Sequence, residues 1–170
     1  MSLPAWTSDG LLPAGRHRAD LPDLYERCVD GTSNRDQREA LFSALRVFHQ
    51  GAQATVGVGR LWVGGRIVTN HGGGDCDASV LILPDDWGRV LDLDEARQAQ
   101  LYSLLTLQEI VVGSPLYLGL DNIRPVASML DGFLCYPGHE DRWHDTWATV
   151  KGFDGQVIDG IEKGYVEVSL

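Results

Sequence analysis

The sequence predicts an α+β domain, in which helices pack on one face of a small mixed β-sheet. Two segments before residue 51 and a third near residue 100 repeat apolar residues three and four positions apart, which is typical of amphipathic helices. Short apolar runs within 60–63, 75–83 and 129–136 are typical of buried strands. Residues 165–169 alternate apolar and polar side chains, which predicts a half-exposed strand.

The N-terminal third of the chain predicts an arm followed by two helices. Residues 1–19 contain proline and glycine turn signals, and we expect them to form a flexible arm. Residues 21–29 predict a short helix with Pro22 in its first turn, a position that suits proline. Asn34 is expected to cap a longer helix that ends near Gln50 and buries an apolar stripe.

The rest of the chain predicts strands interrupted by two helices. In order, we expect a strand at 60–63, a strand at 75–83, a helix that begins at Asp92 or Asp94 and runs to 105, a strand at 129–136, a helix at 144–150 and a strand at 165–169. The apolar residues at 110–112 and 116–118 fit either short strands or a buried loop, because periodicity alone does not separate the two.

Length and composition define the general class of protein. A chain of 170 residues, 44% hydrophobic and 22% charged, fits a single soluble domain over residues 1–170. We expect no membrane span, because no apolar stretch is long enough, and the first ten residues lack the features of a signal peptide. The three cysteines show no Cys-x-x-Cys spacing, which favours reduced thiols in a cytoplasmic protein.

The formal net charge of −10, from 14 basic and 24 acidic side chains, narrows the class of partner. Proteins that bind long nucleic acids carry a basic surface, and the sequence predicts no such extended footprint. The densest basic spot is Arg16, His17 and Arg18, which we interpret as part of the arm. The charge therefore favours a small molecule, a protein, or an RNA end that is contacted only locally.

Two aspartates at the start of a buried strand are the most informative feature of the sequence. Asp75 and Asp77 lie two residues apart, so in a strand both carboxylates project to one side while Cys76 faces the other. Carboxylates this close repel each other unless a cation lies between them, which indicates metal binding. Asp131 is the best candidate for a third carboxylate. Each prediction has a structural alternative. Asp75 and Asp77 could lie in solvent at the start of a strand, and Asp131 could be a strand-end residue that is hydrogen-bonded to a turn.

A glycine pair precedes these aspartates in a layout that resembles the nucleotidyltransferase superfamily of DNA polymerase beta and the minimal bacterial nucleotidyltransferases. The superfamily signature is an apolar residue, Gly, then Gly or Ser, a short spacer, and Asp-x-Asp or Asp-x-Glu on the next strand. In this sequence the matching residues are Val63, Gly64, Gly65, Asp75 and Asp77. The resemblance extends over residues 61–136 and implies a nucleotidyltransferase-like sheet.

The resemblance also implies a reaction: transfer of a nucleoside monophosphate from an NTP to a hydroxyl group, with two Mg²⁺ ions as cofactors. Asp75 and Asp77 would bind both ions, one of which escorts the triphosphate. Asp131 would complete the other site, where the acceptor hydroxyl loses its proton and attacks the α-phosphorus. All three aspartates are therefore expected to be both metal ligands and catalytic residues.

The same resemblance suggests how the nucleotide and its acceptor are bound. The backbone amides of Gly64 and Gly65 would hold the β- and γ-phosphates, and Arg66 and Lys163 are candidates for phosphate neutralisation. The acceptor would be a protein, an RNA end or a small molecule. Several relatives belong to toxin–antitoxin modules, so a role in such a module is a further expectation.

Two departures from the superfamily pattern keep other functions open. The spacer contains the β-branched residues Ile67, Val68 and Thr69 and then three glycines, so any helix after Gly65 can only be short. Gly65 also lacks the hydroxyl of the serine that often occupies this position in relatives. These departures favour, as the alternative, a non-catalytic binding or scaffolding protein of the same fold. A metal-dependent phosphodiesterase that uses the same acids is a third, weaker alternative.

Overall fold

The computed structural model describes residues 2–30, 32–71, 76–81, 84–106, 129–152 and 155–170. Four features of the sequence analysis lie outside these ranges: Asp75, the three glycines before it, the end of the predicted strand 75–83 at residues 82–83, and the apolar residues at 110–112 and 116–118. Within the described part of the chain, no helix is long and apolar enough to cross a membrane.

The described residues form the predicted α+β fold, with five α-helices and seven strands. The helices are α1 Leu21–Cys28, α2 Arg35–Thr55, α3 Trp87–Leu91, α4 Glu95–Ser103 and α5 Glu140–Ala148. The strands are β1 Gly15–Arg18, β2 Arg60–Gly64, β3 Cys76–Leu81, β4 Leu130–Cys135, β5 Thr149–Lys151, β6 Val157–Glu162 and β7 Gly164–Ser169.

Five of the strands form one mixed sheet in the order β1-β7-β2-β3-β4. Strand β2 runs antiparallel to both of its neighbours, β7 and β3. Strands β3 and β4 are parallel, as are β1 and β7. Parallel neighbours need a long connection, and α3 and α4 lie between β3 and β4 in the chain. The sheet is therefore mixed, as predicted.

The main hydrophobic core lies between one face of the sheet and the helices that precede β4. Helix α1 begins with a capping box, in which the Asp23 amide donates a 2.8 Å hydrogen bond to the Asp20 carboxylate. Helix α2 begins directly after Asn34 as predicted, but the Asn34 side chain makes no capping hydrogen bond. The helix ends at Thr55, more than one turn beyond Gln50. The larger apolar side chains that α2 buries are Leu41, Phe42, Leu45 and Phe48.

Helix α5 packs on the opposite face of the sheet and adds a second, smaller hydrophobic cluster. Helices therefore lie on both faces of the sheet, whereas the sequence predicts helices on one face only. Its Trp143 and Trp147 rings lie against Phe133 of β4, with ring centroids 5.1 and 5.8 Å apart. The same cluster contains Trp62 of β2 and Tyr165 of β7, whose ring centroids are 5.3 Å apart. Side chains alternate between the faces along each strand, so both faces of the central strands are covered.

A two-stranded ribbon of β5 and β6, which the sequence did not predict, connects α5 to β7. All six residues of β6 are exposed, including the apolar side chains Val157, Ile158 and Ile161. Glu162 pairs with Thr149 at the base of the ribbon, directly before Lys163. The ribbon therefore stands away from the core and ends beside the main sheet.

The N-terminal residues, which we expected to form a flexible arm, are built into the domain. Leu3, Leu11 and Leu12 are each at most 5% exposed and belong to the buried apolar residues of the fold. Residues Gly15–Arg18 form the edge strand β1, which pairs in parallel with β7. Burial of three leucines and pairing of an entire strand anchor this segment to the domain.

Strand β7 is buried on both faces, with only Ser169 exposed, whereas its alternating pattern predicts a half-exposed strand. The polar position in that pattern is Glu167, which is 3% exposed. The strand lies between β1 and β2, so side chains from both neighbours cover it. The prediction of a half-exposed strand is therefore wrong. The alternation of apolar and polar residues does not show that side chains from neighbouring strands bury the polar positions.

The Glu167 carboxylate is held by three arginines and a tryptophan. Its Oε1 accepts hydrogen bonds from Arg18 Nε at 3.0 Å and from Arg60 Nη1. Its Oε2 accepts one from Trp62 Nε1 at 2.9 Å and lies 3.3 Å from Arg16 Nη1. Burial raises the pKa of Glu167, but the hydrogen bonds from Trp62 and Arg60 and the charges of Arg16 and Arg60 outweigh it. The pKa therefore lies below its usual 4.5.

This lowered pKa predicts a pH-dependent contribution to stability. Because the folded-state pKa lies below 4.5, ionised Glu167 contributes stability that is complete above this pH and is lost as the pH falls through the folded-state value. We expect Glu167→Gln to reduce the free energy of unfolding at pH 7 by about 1–3 kcal/mol, since charged hydrogen bonds are lost. Urea unfolding at pH 7 and at pH 3.5, chosen as about one unit below the ordinary glutamate pKa, should show the difference from wild type shrinking in acid. Glu26→Gln, at an exposed position, is the matched control. An equal difference at both pH values would contradict the prediction.

Candidate active site

The glycine pair lies where β2 leaves the sheet. Gly64 is the last residue of β2, and Gly65 has a φ of 78°, a left-handed conformation that favours glycine. Gly65 precedes a single 3₁₀ turn, Arg66–Val68, whose Ile67 and Val68 side chains are fully buried. The prediction that only a short helix can follow Gly65 is therefore confirmed.

Gly64 also accommodates the side chain of Trp147 from helix α5. A Cβ atom at position 64 would lie 2.8 Å from Trp147 Cε3, closer than real Cβ contacts allow. The absence of a side chain at Gly64 thus lets the indole cover the end of β2. This packing gives Gly64 a structural role, whatever its backbone amide contacts.

Asp77 and Asp131 are direct neighbours on the parallel strands β3 and β4. Paired residues on adjacent strands project to the same face, and their backbones lie about 4.8 Å apart. On its other side Asp77 pairs with Gly64 of β2, so the three residues form one row across the sheet. Both aspartates are half-buried. The two carboxylates therefore share one face at the end of the sheet where the glycine pair lies.

The other aspartate of the predicted pair, Asp75, lies outside the described residues, two positions before Asp77. Within the described ranges, no group of three or more His, Cys, Asp or Glu side chains is arranged to hold a metal ion. Of the three predicted carboxylates, the structure therefore describes the positions of Asp77 and Asp131. Adjacent carboxylates of this kind supply the oxygen ligands that Mg²⁺ and Ca²⁺ prefer.

Thr106, which the sequence analysis did not single out, contacts Asp131 directly. Its hydroxyl donates a 3.0 Å hydrogen bond to Asp131 Oδ1 and accepts one, also at 3.0 Å, from the Gly132 amide. The Thr106 amide donates to the Gly132 carbonyl at 2.7 Å, and the residue is 1% exposed. A Cβ at Gly132 would lie 2.0 Å from the Leu104 carbonyl oxygen. The absence of a side chain at Gly132 thus lets residues 104–106 approach β4 and orient Asp131.

Two predicted phosphate-binding cations lie next to Gly65. Lys163 Nζ is 3.5 Å from the Gly65 carbonyl oxygen, and its backbone amide donates to the Ala148 carbonyl at 2.9 Å. Arg66 directly follows Gly65 and is exposed. The structure therefore brings Lys163, remote in sequence, to the same end of the sheet as Asp77.

A second residue that the sequence analysis missed, Arg38 of α2, fixes the segment after the glycine pair. Its Nη1 donates to the carbonyls of Cys28 and Ile67 at 2.8 and 2.9 Å. Its Nη2 donates to those of Thr69 and His71 at 2.6 and 2.8 Å. The side chain is 2% exposed. Desolvation lowers the pKa of Arg38, but an arginine keeps its charge at any ordinary pH.

One signal in the sequence could have identified Arg38. It lies three residues before Leu41 and seven before Leu45, on the apolar stripe of α2. A charged residue at such a position is buried only when it is fully hydrogen-bonded. Its partners, the carbonyls of a loop about 30 residues further along the chain, have no signature in the sequence.

One family profile matches nearly the whole chain. The profile of a family described as "Family of unknown function (DUF6932)" matches residues 4–169. The chain belongs to this family. No curated protein and no solved structure matches the chain significantly. The family description names no activity.

The four carbonyl contacts predict that Arg38 is important for stability. Arg38→Met keeps most of the aliphatic volume but leaves buried carbonyls without their donors, and we expect a loss of about 3 kcal/mol or more in the free energy of unfolding. Urea denaturation measures this loss. Arg35→Met, at a surface arginine one turn earlier that pairs with Asp30 and Glu39, is the control and should be far less destabilised. Equal effects of the two substitutions would refute the assignment.

Proposed function

We propose that this protein is a metal-dependent nucleotidyltransferase that transfers a nucleoside monophosphate from an NTP to a hydroxyl group. The observation that carries the proposal is the row formed by Gly64, Asp77 and Asp131 across three adjacent strands. In the superfamily that the sequence resembles, the glycine pair and the carboxylates must meet at one end of the sheet. Asp77 lies 13 positions after Gly64 in the chain and Asp131 lies 67 positions after it. The fold brings all three into this one row.

The donor set of the row fits divalent metal ions. Asp77 and Asp131 present carboxylate oxygens on one face, and like charges at this distance favour a bound cation. Asp75 would add a third carboxylate. Mg²⁺, when bound, would supply positive charge that stabilises both the entering oxygen and the departing pyrophosphate. Thr106 holds Asp131 Oδ1 in place, beside which the acceptor hydroxyl would lose its proton.

The triphosphate would be bound on the β2 side of the row. Lys163 lies against Gly65, and Arg66 is exposed next to it, so both cations are near enough to neutralise phosphate charge. Gly64 and Gly65 would contribute backbone amides. The Trp147 ring over Gly64 limits the space on that face, which assigns more of the binding to Gly65, Arg66 and Lys163.

The acceptor would be a hydroxyl of a protein, an RNA end or a small molecule in the cytoplasm. The net charge of −10 argues against an extended nucleic-acid track. On the basis of the superfamily resemblance, we propose that the protein functions in a toxin–antitoxin module, where it modifies a partner protein or an RNA.

A non-catalytic binding or scaffolding protein of the same fold is the second candidate. Two observations favour it: the single 3₁₀ turn that follows Gly65, and the Trp147 ring that covers Gly64. In that case Asp77 and Asp131 would be retained as structural groups. Activity and metal response distinguish the two candidates.

Incubation with each labelled NTP and Mg²⁺, with and without cell lysate, tests the proposed transfer. We expect label on protein or RNA for the wild type. For Asp77→Asn and Asp131→Asn we expect a loss of rate of about 100-fold or more, since metal ligands act mainly in the transition state. Asp92→Asn, an exposed aspartate after α3, should leave the rate unchanged.

Thermal unfolding provides the complementary measurement. In EDTA, Asp77→Asn should melt above the wild type, because repulsion with the neighbouring carboxylate is removed. Mg²⁺ with NTP should stabilise the wild type and not the variant. A wild type that ignores Mg²⁺ and NTP, together with an Asp77→Asn variant that only unfolds more easily, would identify the scaffold instead.

The contact between Thr106 and Asp131 predicts a positioning role that a conservative pair of variants can test. Thr106→Val keeps the shape but removes the donor to Asp131 and the acceptor for the Gly132 amide, so the rate should fall about 10-fold. The Mg²⁺ concentration for half-maximal rate should rise as well. Thr106→Ser retains the hydroxyl and should recover most of both. Equal behaviour of the Val and Ser variants would show that only packing matters at this position.

A further inference from the structure

Three arginines converge on Glu167 on the same sheet face as Asp77, and we call Arg16, Arg18 and Arg60 the arginine cluster. Arg16 and Arg18 lie two residues apart on β1 and pair beside Tyr165 and Glu167 of β7. Their side chains therefore project to one face, where Arg60 of β2 joins them. The fold thus enlarges the densest basic spot of the sequence by a residue more than 40 positions away.

The arginine cluster carries more positive charge than Glu167 needs. Three guanidinium groups around one carboxylate leave a local surplus of two positive charges, in a protein whose net charge is −10. In the described part of the chain, each guanidinium reaches Glu167 through one nitrogen, whereas a guanidinium has five N–H donors. The carboxylate already receives the Trp62 indole N–H as well. Neutralising Glu167 therefore does not account for all three arginines.

The arginine cluster is also accessible and held in place. The side chains of Arg16, Arg18 and Arg60 are 41%, 63% and 32% exposed, while Glu167 beneath them is 3% exposed. The Arg16 guanidinium lies over the Trp62 ring, 5.4 Å from its centroid, an arrangement that fixes its orientation. Ordered guanidinium groups lose less entropy when they bind a ligand.

We propose that the arginine cluster is a binding site for a phosphate group. A phosphate monoester carries a charge of about −1.5 to −2 at pH 7, which matches the surplus, and its three oxygens suit several guanidinium forks at once. Helix α5 lies between this site and the Asp77 row, since His144 contacts Tyr165 and Trp147 covers Gly64. The site is therefore separate from the proposed nucleotide site and does not depend on the transfer reaction.

Calorimetric titration of the full chain in EDTA tests the proposal with three probes: inorganic phosphate, pyrophosphate, and a 5′-phosphorylated single-stranded RNA of ten nucleotides. We expect the wild type to bind at least one probe, and Arg16→Gln to weaken that binding at least five-fold. Glu167→Gln should tighten it, because the competing negative charge is removed. Arg89→Gln, at an exposed arginine of α3, is the charge-matched control and should bind as the wild type does.

The probes distinguish the two sources of the phosphate. Binding of phosphate or pyrophosphate as tightly as RNA indicates a small phosphorylated ligand. Tighter RNA binding, with a slope of about −2 in a plot of log affinity against log salt, indicates several contacts to a nucleic-acid backbone. Either result supports the site if Arg16→Gln weakens it.

Folding and location have their own controls. Melting temperature reports whether Arg16→Gln is folded, and Arg16→Lys, which keeps the charge but not the fork, provides a second variant that should bind with intermediate affinity. Binding of none of the probes by the wild type would overturn the proposal. So would binding that survives in Arg16→Gln and Arg16→Lys but is lost in Lys163→Gln, because the phosphate would then occupy the proposed nucleotide site.

Discussion

The geometry of the candidate active site depends most on the hydrogen bonds that the buried Arg38 guanidinium donates to backbone carbonyls. Burying a charge costs several kcal/mol unless hydrogen bonds replace the lost water, and here four carbonyl oxygens do so. They belong to the end of α1 and to the segment Ile67–His71. One side chain of α2 thereby joins the first helices to the segment that leads from the glycine pair toward the aspartates. A shift of α2 along its axis would move that segment as well.

The two charged side chains that the described residues bury, Arg38 and Glu167, are stabilised in different ways. Arg38 is surrounded by carbonyl dipoles, whereas Glu167 is surrounded by opposite charges and an indole N–H. The first arrangement is insensitive to pH, since arginine does not titrate under ordinary conditions. The second ties the edge strand β1 to β7 and β2 through a group that does titrate. Glu167 thus supports the pairing of β1 at the edge of the sheet, whereas Arg38 supports the segment after the glycine pair. The two sets of interactions are independent of each other.

Much of the fold could be predicted because its elements follow local patterns. The apolar period of α2 and the short apolar runs of β2 and β4 identify those elements, and the β-branched spacer predicts the brief turn after Gly65. The rest depends on contacts between distant residues. Trp147 over Gly64, Thr106 on Asp131 and the arginines over Glu167 join residues 25 or more positions apart. The period of the apolar residues shows which face of a helix or strand is apolar. It does not show which distant side chain covers a buried polar group.

The position of β7 has a consequence for how the chain acquires its structure. This strand comes after all the others in the sequence, yet it lies inside the sheet, between β1 and β2. During synthesis the first strand and the β2–β3–β4 part of the sheet are made before the strand that joins them. Until β7 emerges from the ribosome, β1 has no partner and one edge of β2 is open. Pairing between such distant segments is slow, so the nascent chain keeps an exposed edge on β2 until Gly164–Ser169 has been synthesised.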